Sequence, residues 1–241
     1  MRDFSTPAII LSKRRQGEAD LFVDMISPDY GKFTMVAKGA LKISSKFIGK
    51  LEIGQRGVFF IHKTTHNWLI LKDVDTNKDC GLKISSHKDL ILVSKIFELI
   101  KKIEYQPQLN QSIFALLTTT LLIINISKEH SIFLQIIMLN MLGYLPEFKE
   151  CSSCQKSLKD CAVHYTDAGE IFCQSCKNTT THLIGSLTFN QIKLLSYTKS
   201  IMWDIKKLTK IKLEPKDSQA LELYADNIIV NCINIRMRVG S

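Results

Sequence analysis

The sequence predicts a multidomain α+β chain, and three observations carry the prediction. Short apolar runs separated by turn residues fill the first third. A helical period of apolar residues takes over from about Ser85. Among the later helices stand two Cys-x-x-Cys pairs, Cys151-Ser152-Ser153-Cys154 and Cys173-Gln174-Ser175-Cys176. At 241 residues the chain is long enough for two compact domains and a substantial core.

Residues 1–79 read as β structure. Pro7-Ala8-Ile9-Ile10-Leu11-Ser12 is a first short strand and Leu21-Phe22-Val23-Asp24-Met25-Ile26-Ser27 a second. Pro28-Asp29-Tyr30-Gly31 has Pro and Gly placed to set the dihedrals of a turn. Lys32-Phe33-Thr34-Met35-Val36-Ala37 alternates polar and apolar as a third strand. After a long basic connection come Val58-Phe59-Phe60-Ile61-His62 and Trp68-Leu69-Ile70-Leu71, joined by a polar turn. Five short strands with a long link after the third predict a small β-barrel, for which the OB-fold is the commonest solution of this size.

Residues 80–146 and 181–241 read as one α-helical domain. Ser85 or Ser86 caps a helix that turns Val93, Ile96, Phe97, Ile100 and Ile103 to one side. Helices follow over 111–126 and 128–142, the latter stopped by Gly143 with Pro146 beyond. Thr188-Phe189-Asn190-Gln191 is a capping box opening a helix with Ile192, Leu195 and Tyr197 inward. Pro215 opens the last helix, where its missing N–H costs nothing; Leu221, Tyr224, Ile228 and Cys232 or Ile235 form its stripe.

Residues 147–180 read as a zinc module inserted between these helices. Eighteen residues separate the Cys-x-x-Cys pairs, a spacing that suits a four-cysteine tetrahedral site. Two redox dithiols are the alternative, but a reactive Cys-x-x-Cys needs a βαβ setting that the sequence does not offer. Four sulfur ligands close the shell, so the expectation is one structural zinc per chain held by Cys151, Cys154, Cys173 and Cys176. Cys161 and His164 lie between the pairs and read as bystanders. Asp167-Ala168-Gly169-Glu170 reads as a turn flanked by short strands.

The net charge of +9 and pI of about 9.1 favour a polyanionic partner. Residues 10–50 carry Lys13, Arg14, Arg15, Lys32, Lys38, Lys42, Lys46 and Lys50 against Glu18, Asp20, Asp24 and Asp29. Cations on one face of a small barrel would follow a phosphate backbone; the alternative is a solvated lysine surface. Tyr30, Phe33 and Phe47 are candidates to stack on bases, with Phe33 equally suited to the core. Lysines 38 to 50 recur at every fourth position, but Gly39, Gly49 and Ser44-Ser45 favour a loop that orders on its ligand. A second basic set comprises Lys206, Lys207, Lys210, Lys212, Arg236 and Arg238.

Enzymatic chemistry finds no support. There is no phosphate-binding Gly-rich Lys loop, no arguable Ser-His-Asp order, no His-x-Glu beside a Cys-x-x-Cys and no carboxylate cluster for two metals. The longest apolar runs are too short for a bilayer, and Met1-Arg2-Asp3-Phe4 lacks the apolar core of a signal peptide. The remaining cysteines Cys80, Cys161 and Cys232 read as buried or free thiols, which points to a reducing, intracellular setting.

Two sets of phrases resemble the RecO family of bacterial DNA repair proteins. One is Gly17-Glu18-Ala19-Asp20-Leu21, Tyr30-Gly31-Lys32 and Val36-Ala37-Lys38-Gly39-Ala40; the other is Leu142-Gly143-Tyr144-Leu145-Pro146 leading into Cys151 and Cys154. The resemblance covers nearly the whole chain. It implies an N-terminal OB-fold β-barrel and a helical domain carrying a zinc module. It also implies a cytoplasmic, nucleoid-associated mediator of DNA repair and recombination with no enzymatic activity. Such a protein binds single- and double-stranded DNA and anneals complementary strands. With RecR, and often RecF, it helps load RecA onto strands coated by single-strand-binding protein, whose C-terminal tail is a further partner. The resemblance places DNA contacts around Lys38-Gly39-Ala40. The alternative function is a zinc-containing protein-interaction adaptor without direct DNA contact.

Overall fold

The first strand is the longest and joins the barrel to itself. The computed structural model describes residues 2–76, 87–102, 110–126, 131–159, 161–178, 182–201, 207 and 210–239. They fall into two compact units, residues 1–125 and 126–241.

In the first unit β1 (Arg2–Gln16), β2 (Asp20–Ser27), β3 (Gly31–Ala37), β4 (Arg56–Lys63) and β5 (Leu69–Asp75) close a barrel in the order β1-β2-β3-β5-β4. The front half of β1 pairs antiparallel with β4, from Arg2 opposite Lys63 to Ile9 opposite Arg56. Its back half pairs with β2, ending at Gln16 opposite Asp20. The register slips between Ile10 and Ser12, a bulge that lets one strand serve two neighbours. The strand therefore extends well beyond the expected Pro7–Ser12, and Lys13, Arg14 and Arg15 lie within it rather than after it. All three are exposed, so no alternation marks this part of the strand; its pairing with Val23, Phe22 and Leu21 defines it. β3 closes on β5 in parallel, with Val36 opposite Ile70.

Alternate residues fill the interior: Ala8, Ile10, Leu21, Val23, Met25, Met35, Ala37, Phe59, Ile61, Leu71 and Val74 are buried in one cluster. Phe47 and Leu51, from the long basic connection, join it. This connection is not a helix. It is a series of tight turns, Lys42 N–H to Gly39 C=O, Ser45 to Lys42 and Lys50 to Phe47, at 2.9–3.1 Å. Gly39 and Gly49 supply positive φ values of 66° and 70°. Helices α1 (His87–Lys102) and α2 (Asn110–Ile126) belong to the same unit. Val93, Ile96, Phe97 and Ile100 of α1 and Ile113, Leu116, Leu117 and Leu121 of α2 are buried as their spacing predicts. Ser85, Ser86 and Ile103 lie outside the described residues.

In the second unit α3 (Ser131–Met141) is buried on all sides from Ile132 to Leu139 and packs on α4 (Phe189–Ile201) and α5 (Pro215–Val239). It ends in a Schellman motif: Tyr144 N–H reaches Leu139 C=O at 2.9 Å and Gly143 N–H reaches Asn140 C=O at 3.0 Å, with Gly143 at φ 76°. The capping box forms as expected, Gln191 N–H to Thr188 Oγ1 at 3.3 Å and Thr188 N–H to Gln191 Oε1 at 2.9 Å. Tyr197 corrects the expected stripe. It stands two residues past the buried Leu195, on the far side of the helix, and is 48% exposed; Thr198 and Ile201 take its place inside. Between α3 and α4 three strands, β6 (Val163–Thr166), β7 (Ile171–Cys173) and β8 (Leu183–Leu187), form a sheet in the order β7-β6-β8. Gly185 has no room for a side chain, because a Cβ there would lie 2.4 Å from Tyr165 Oη. No described helix is long and apolar enough to cross a membrane.

Candidate metal centre and nucleic-acid interface

The first cysteine pair is built on a knuckle. Glu150 bridges Ser157, Leu158 N–H reaches Lys149 C=O at 2.9 Å, and Cys151 N–H reaches Lys156 C=O at 2.9 Å. The tip turns through Gln155 at φ 57°, whose N–H returns to Cys151 C=O at 3.0 Å. Ser152 ties this knuckle to β7, its N–H on Ile171 C=O at 2.8 Å and its Oγ accepting from Ile171 N–H at 3.2 Å. The second pair straddles the end of β7, with Cys173 on the strand and Cys176 closing a 3₁₀ turn (Gln174–Cys176).

The four Sγ atoms of Cys151, Cys154, Cys173 and Cys176 lie within 4.8 Å of one another. Cys154 and Cys173 are 3.7 Å apart, close to the edge of about 3.8 Å in a tetrahedron with metal–sulfur bonds of about 2.3 Å. The donor set therefore fits a metal ion. Its electrostatics point the same way. Burial opposes charge at Cys151, yet the backbone N–H groups of Cys154, Cys173 and Ser153 outweigh it and lower the thiol to about 6. The Cys176 N–H is the main cause lowering Cys173. Cys176 is pushed up to about 12, first by its contact with the Cys154 sulfur. A cluster that readily forms some thiolates and resists the rest suits a soft divalent cation, which compensates all four charges. Among the described residues these four form the cluster. His164 instead pairs with Gln174 Oε1 at 2.7 Å, and Cys161 stays apart.

The eight predicted cations divide. Arg14, Arg15, Lys38 and Lys42 meet at one end of the barrel. Arg15 stands opposite Leu21, which stands opposite Ala37, the last residue of β3. The basic connection is fastened there: Gly39 N–H donates to Asp20 Oδ1 at 2.7 Å and Leu41 N–H to Ala19 C=O at 2.9 Å. Lys38, Lys42 and Lys46 are exposed, and Ile43 at the tip of the connection is 99% exposed. Lys13 pairs with Glu52 at 2.6 Å and Lys46 with Asp73 at 3.8 Å. Lys32 stands at the opposite end of β3, where its Nζ donates to the carbonyl of Lys101 in the last turn of α1 at 3.0 Å. Lys50 is half-buried at the root of the connection.

The aromatics expected to stack on bases change. Phe47 is 6% exposed and plugs the barrel, and Phe33 packs partly buried against the same core. Tyr30 is 46% exposed but leans on Phe4, 4.7 Å between centroids. The aromatics beside the basic end are half-buried Phe22 and exposed Trp68, which lie outside the predicted set. Trp68, expected to begin the fifth strand, sits in the turn before β5. Of the second basic set, Lys206 and the side chains of Arg236 and Arg238 lie outside the described residues.

Comparison with known proteins decides the family. The family model described as Recombination protein O N terminal matches residues 1–76, and Recombination protein O C terminal matches residues 86–232. The chain belongs to the recombination protein O family. Among its relatives, the DNA repair protein RecO of Thermodesulfovibrio yellowstonii is 29% identical over 234 residues, covering 94% of this chain and 92% of the relative. The DNA repair protein RecO of Dehalococcoides mccartyi is 28% identical over 228 residues, covering 92% and 87%. The first RecO family match takes in the whole barrel with its basic connection, and the second takes in all four cysteines.

Proposed function

We propose that this chain is a DNA-binding and strand-annealing mediator of repair and homologous recombination. In this reading residues 1–79 are an OB-fold nucleic-acid-binding domain, residues 80–146 and 181–241 a helical domain whose α1 and α2 fall in the same compact unit as the barrel, and residues 147–180 a zinc module. The observation that carries it is the fastening of exposed Lys38 and Lys42 beside Arg14 and Arg15 at one end of a closed barrel, in a RecO-family chain. Cations gathered there follow a phosphate backbone on single or double strands, and neutralising both strands lets complementary sequences meet. Lys13, Lys46 and Lys50 extend the contact; Lys32, at the opposite end of β3 with its amine on the Lys101 carbonyl, adds least to it. Family membership supports the partners: RecR and RecF, the tail of single-strand-binding protein, and RecA as the protein finally loaded.

Cys151, Cys154, Cys173 and Cys176 hold one structural zinc, whose closed shell orders the module and carries out no reaction. The reading is thus of a binding protein rather than an enzyme, acting in the cytoplasm at the nucleoid.

A second reading, a protein-interaction adaptor, draws on an open groove of about 420 Å³ between the first knuckle and α4. Phe148, Leu158, Phe189 and Ile192 wall it, with Lys149 and Lys193 at its edge. The deciding experiment is annealing of complementary strands coated with single-strand-binding protein, with and without RecR. The mediator reading expects annealing that drops when Lys38, Lys42 and Lys46 become Ala. Unchanged annealing and DNA affinity in that variant sink the site assignment.

A further inference from the structure

The register of the barrel places an outward row across four strands: Arg14 opposite Phe22, Phe22 opposite Val36, and Val36 opposite Ile70. Leu21 and Val23 on either side of Phe22 point into the core, so Phe22 points out. The Arg14 guanidinium lies over the Phe22 ring, 4.9 Å from its centroid. Trp68 stacks on the same ring, 6.2 Å between centroids and 26° between planes, and is 57% exposed. A large ring held in a fixed, nearly parallel pose yet left half in water is a surface prepared for another flat group. Exposed Lys38 lies two residues beyond Val36 and exposed Lys72 two beyond Ile70, on the same outward side. Asp20 and Asp24, two residues to either side of Phe22, share this face, but their carboxylates accept from the Gly39 N–H and from the Ser12 and Thr34 hydroxyls. Arg14, Lys38 and Lys72 are the cations on this face that a polyanion carrying flat groups would meet.

We propose that Phe22 and Trp68 form a stacking platform for the unpaired bases of single-stranded DNA, with Arg14 and Lys38 set against its phosphates. This rests on the DNA-binding reading above and deepens it. Lysines of the connection meet phosphates on any strand and do not distinguish single from double. In a duplex the base faces are already stacked on one another and cannot reach a ring pair on a protein surface. The platform therefore supplies preference for the single strand, and it tolerates any sequence because every base has a π-face.

The test measures binding of the full chain to a labelled oligo-dT strand, to an abasic strand of the same length and to a duplex. Variants are Phe22→Ala, Trp68→Ala, Trp68→Phe and Trp68→Leu. The alanine variants are expected to lose about tenfold or more in affinity for oligo-dT, the scale of one lost base–aromatic stack. Their affinity for the abasic strand and the duplex stays at the wild-type value. Trp68→Phe keeps most of the oligo-dT affinity, whereas Trp68→Leu, equally apolar but without a π-face, does not; this comparison holds even if an alanine variant fails to fold. Equal losses on all three ligands overturn the platform, since the rings would then only support the basic end. Wild-type affinity in every variant overturns it as well, leaving the patch to a protein partner. A wild-type chain that binds none of the three overturns the DNA reading itself, and the platform with it.

Discussion

Tyr224 Oη donates a 3.0 Å hydrogen bond to the carbonyl of Gly169, which joins α5 to the turn between β6 and β7. Tyr224 is fully buried, edge-on to Tyr165 at 4.8 Å and 85°, and burial raises its phenol well above the usual range. Gly169 has a φ of 84°, and a Cβ there would lie 2.8 Å from Ile228 Cδ1 on α5. The cysteine-bearing module is thus attached to the helical core by a contact that demands glycine on one side and a phenol on the other. Tyr224→Phe leaves a buried carbonyl without its partner and is expected to cost about 1–3 kcal/mol in urea denaturation. Gly169→Ala is expected to cost more, because it adds backbone strain to overlap. Combining it with Ile228→Val restores only part of the loss, since the overlap is relieved and the positive φ is not.

The basic connection depends on Phe47. Its ring fills the barrel among Met35, Leu71 and the other core side chains while Lys46 and Ile48 beside it remain exposed. Phe47→Ala is expected to cost about 3–5 kcal/mol, the usual range for emptying a buried phenyl site. It should also expose the connection to protease and weaken DNA binding with no change in charge. Limited proteolysis alongside a binding titration checks both; binding at wild-type strength with a protease-sensitive connection would separate the loop's order from its function.

Salt dependence tests the cation assignment. Removing one cation that meets a phosphate should reduce the slope of log affinity against log salt by about one unit. Lys38→Ala and Lys42→Ala are expected to do this individually. Lys32→Ala is expected to change the slope less, because its amine already serves the Lys101 carbonyl at the far end of β3.

Elemental analysis of protein purified without chelator is expected to find one zinc per chain. Cys173→Ser should abolish it and make residues 147–180 the first segment cut by protease, because metal binding and folding of such a module are coupled. Acidification should release the metal reversibly, since protons compete for the thiolates as the pH falls. Metal-free protein that keeps a protease-resistant module would overturn the structural role.

A smaller pH effect comes from Glu147. Its hydrogen bond and charge interaction with Lys199, 2.9 Å away, lower its carboxyl below the ordinary range. A carboxyl lowered in the folded chain contributes stability that is present above its unfolded pKa and lost as the pH falls through the folded value. Glu147 is 74% exposed on its side chain, so solvent screens the contribution. Glu147→Gln is expected to flatten the acid limb of the stability–pH curve slightly while leaving stability at neutral pH almost unchanged.

Local chemistry made much of this chain legible. The alternating third strand, the Thr188–Gln191 capping box, the Gly143 stop and the Pro215 start all appear where the residues predict them. These features rest on interactions between near neighbours, which spacing exposes. β8 is not legible in this way, because Leu183-Ile184-Gly185-Ser186-Leu187 is short and its glycine is explained only by the ring of Tyr165 above it. Nor is the second half of β1, where three consecutive exposed cations show no alternation and only the pairing with β2 makes a strand.

The sequence by itself determined the α+β class, the grouping of four cysteines and the excess of positive charge. Each is a property of residue type and spacing, and each survives whatever the chain does at long range. Only the tertiary structure decided which aromatic faces water. Along the chain Phe47 sits among Lys42, Lys46 and Lys50 and Phe22 among Glu18, Asp20 and Asp24, yet it is Phe47 that plugs the barrel and Phe22 that lies outside it under Arg14 and beside Trp68, forty-six positions away. That outcome follows from barrel closure, which sets the inward and outward sides of every strand and brings residues together that no local spacing relates.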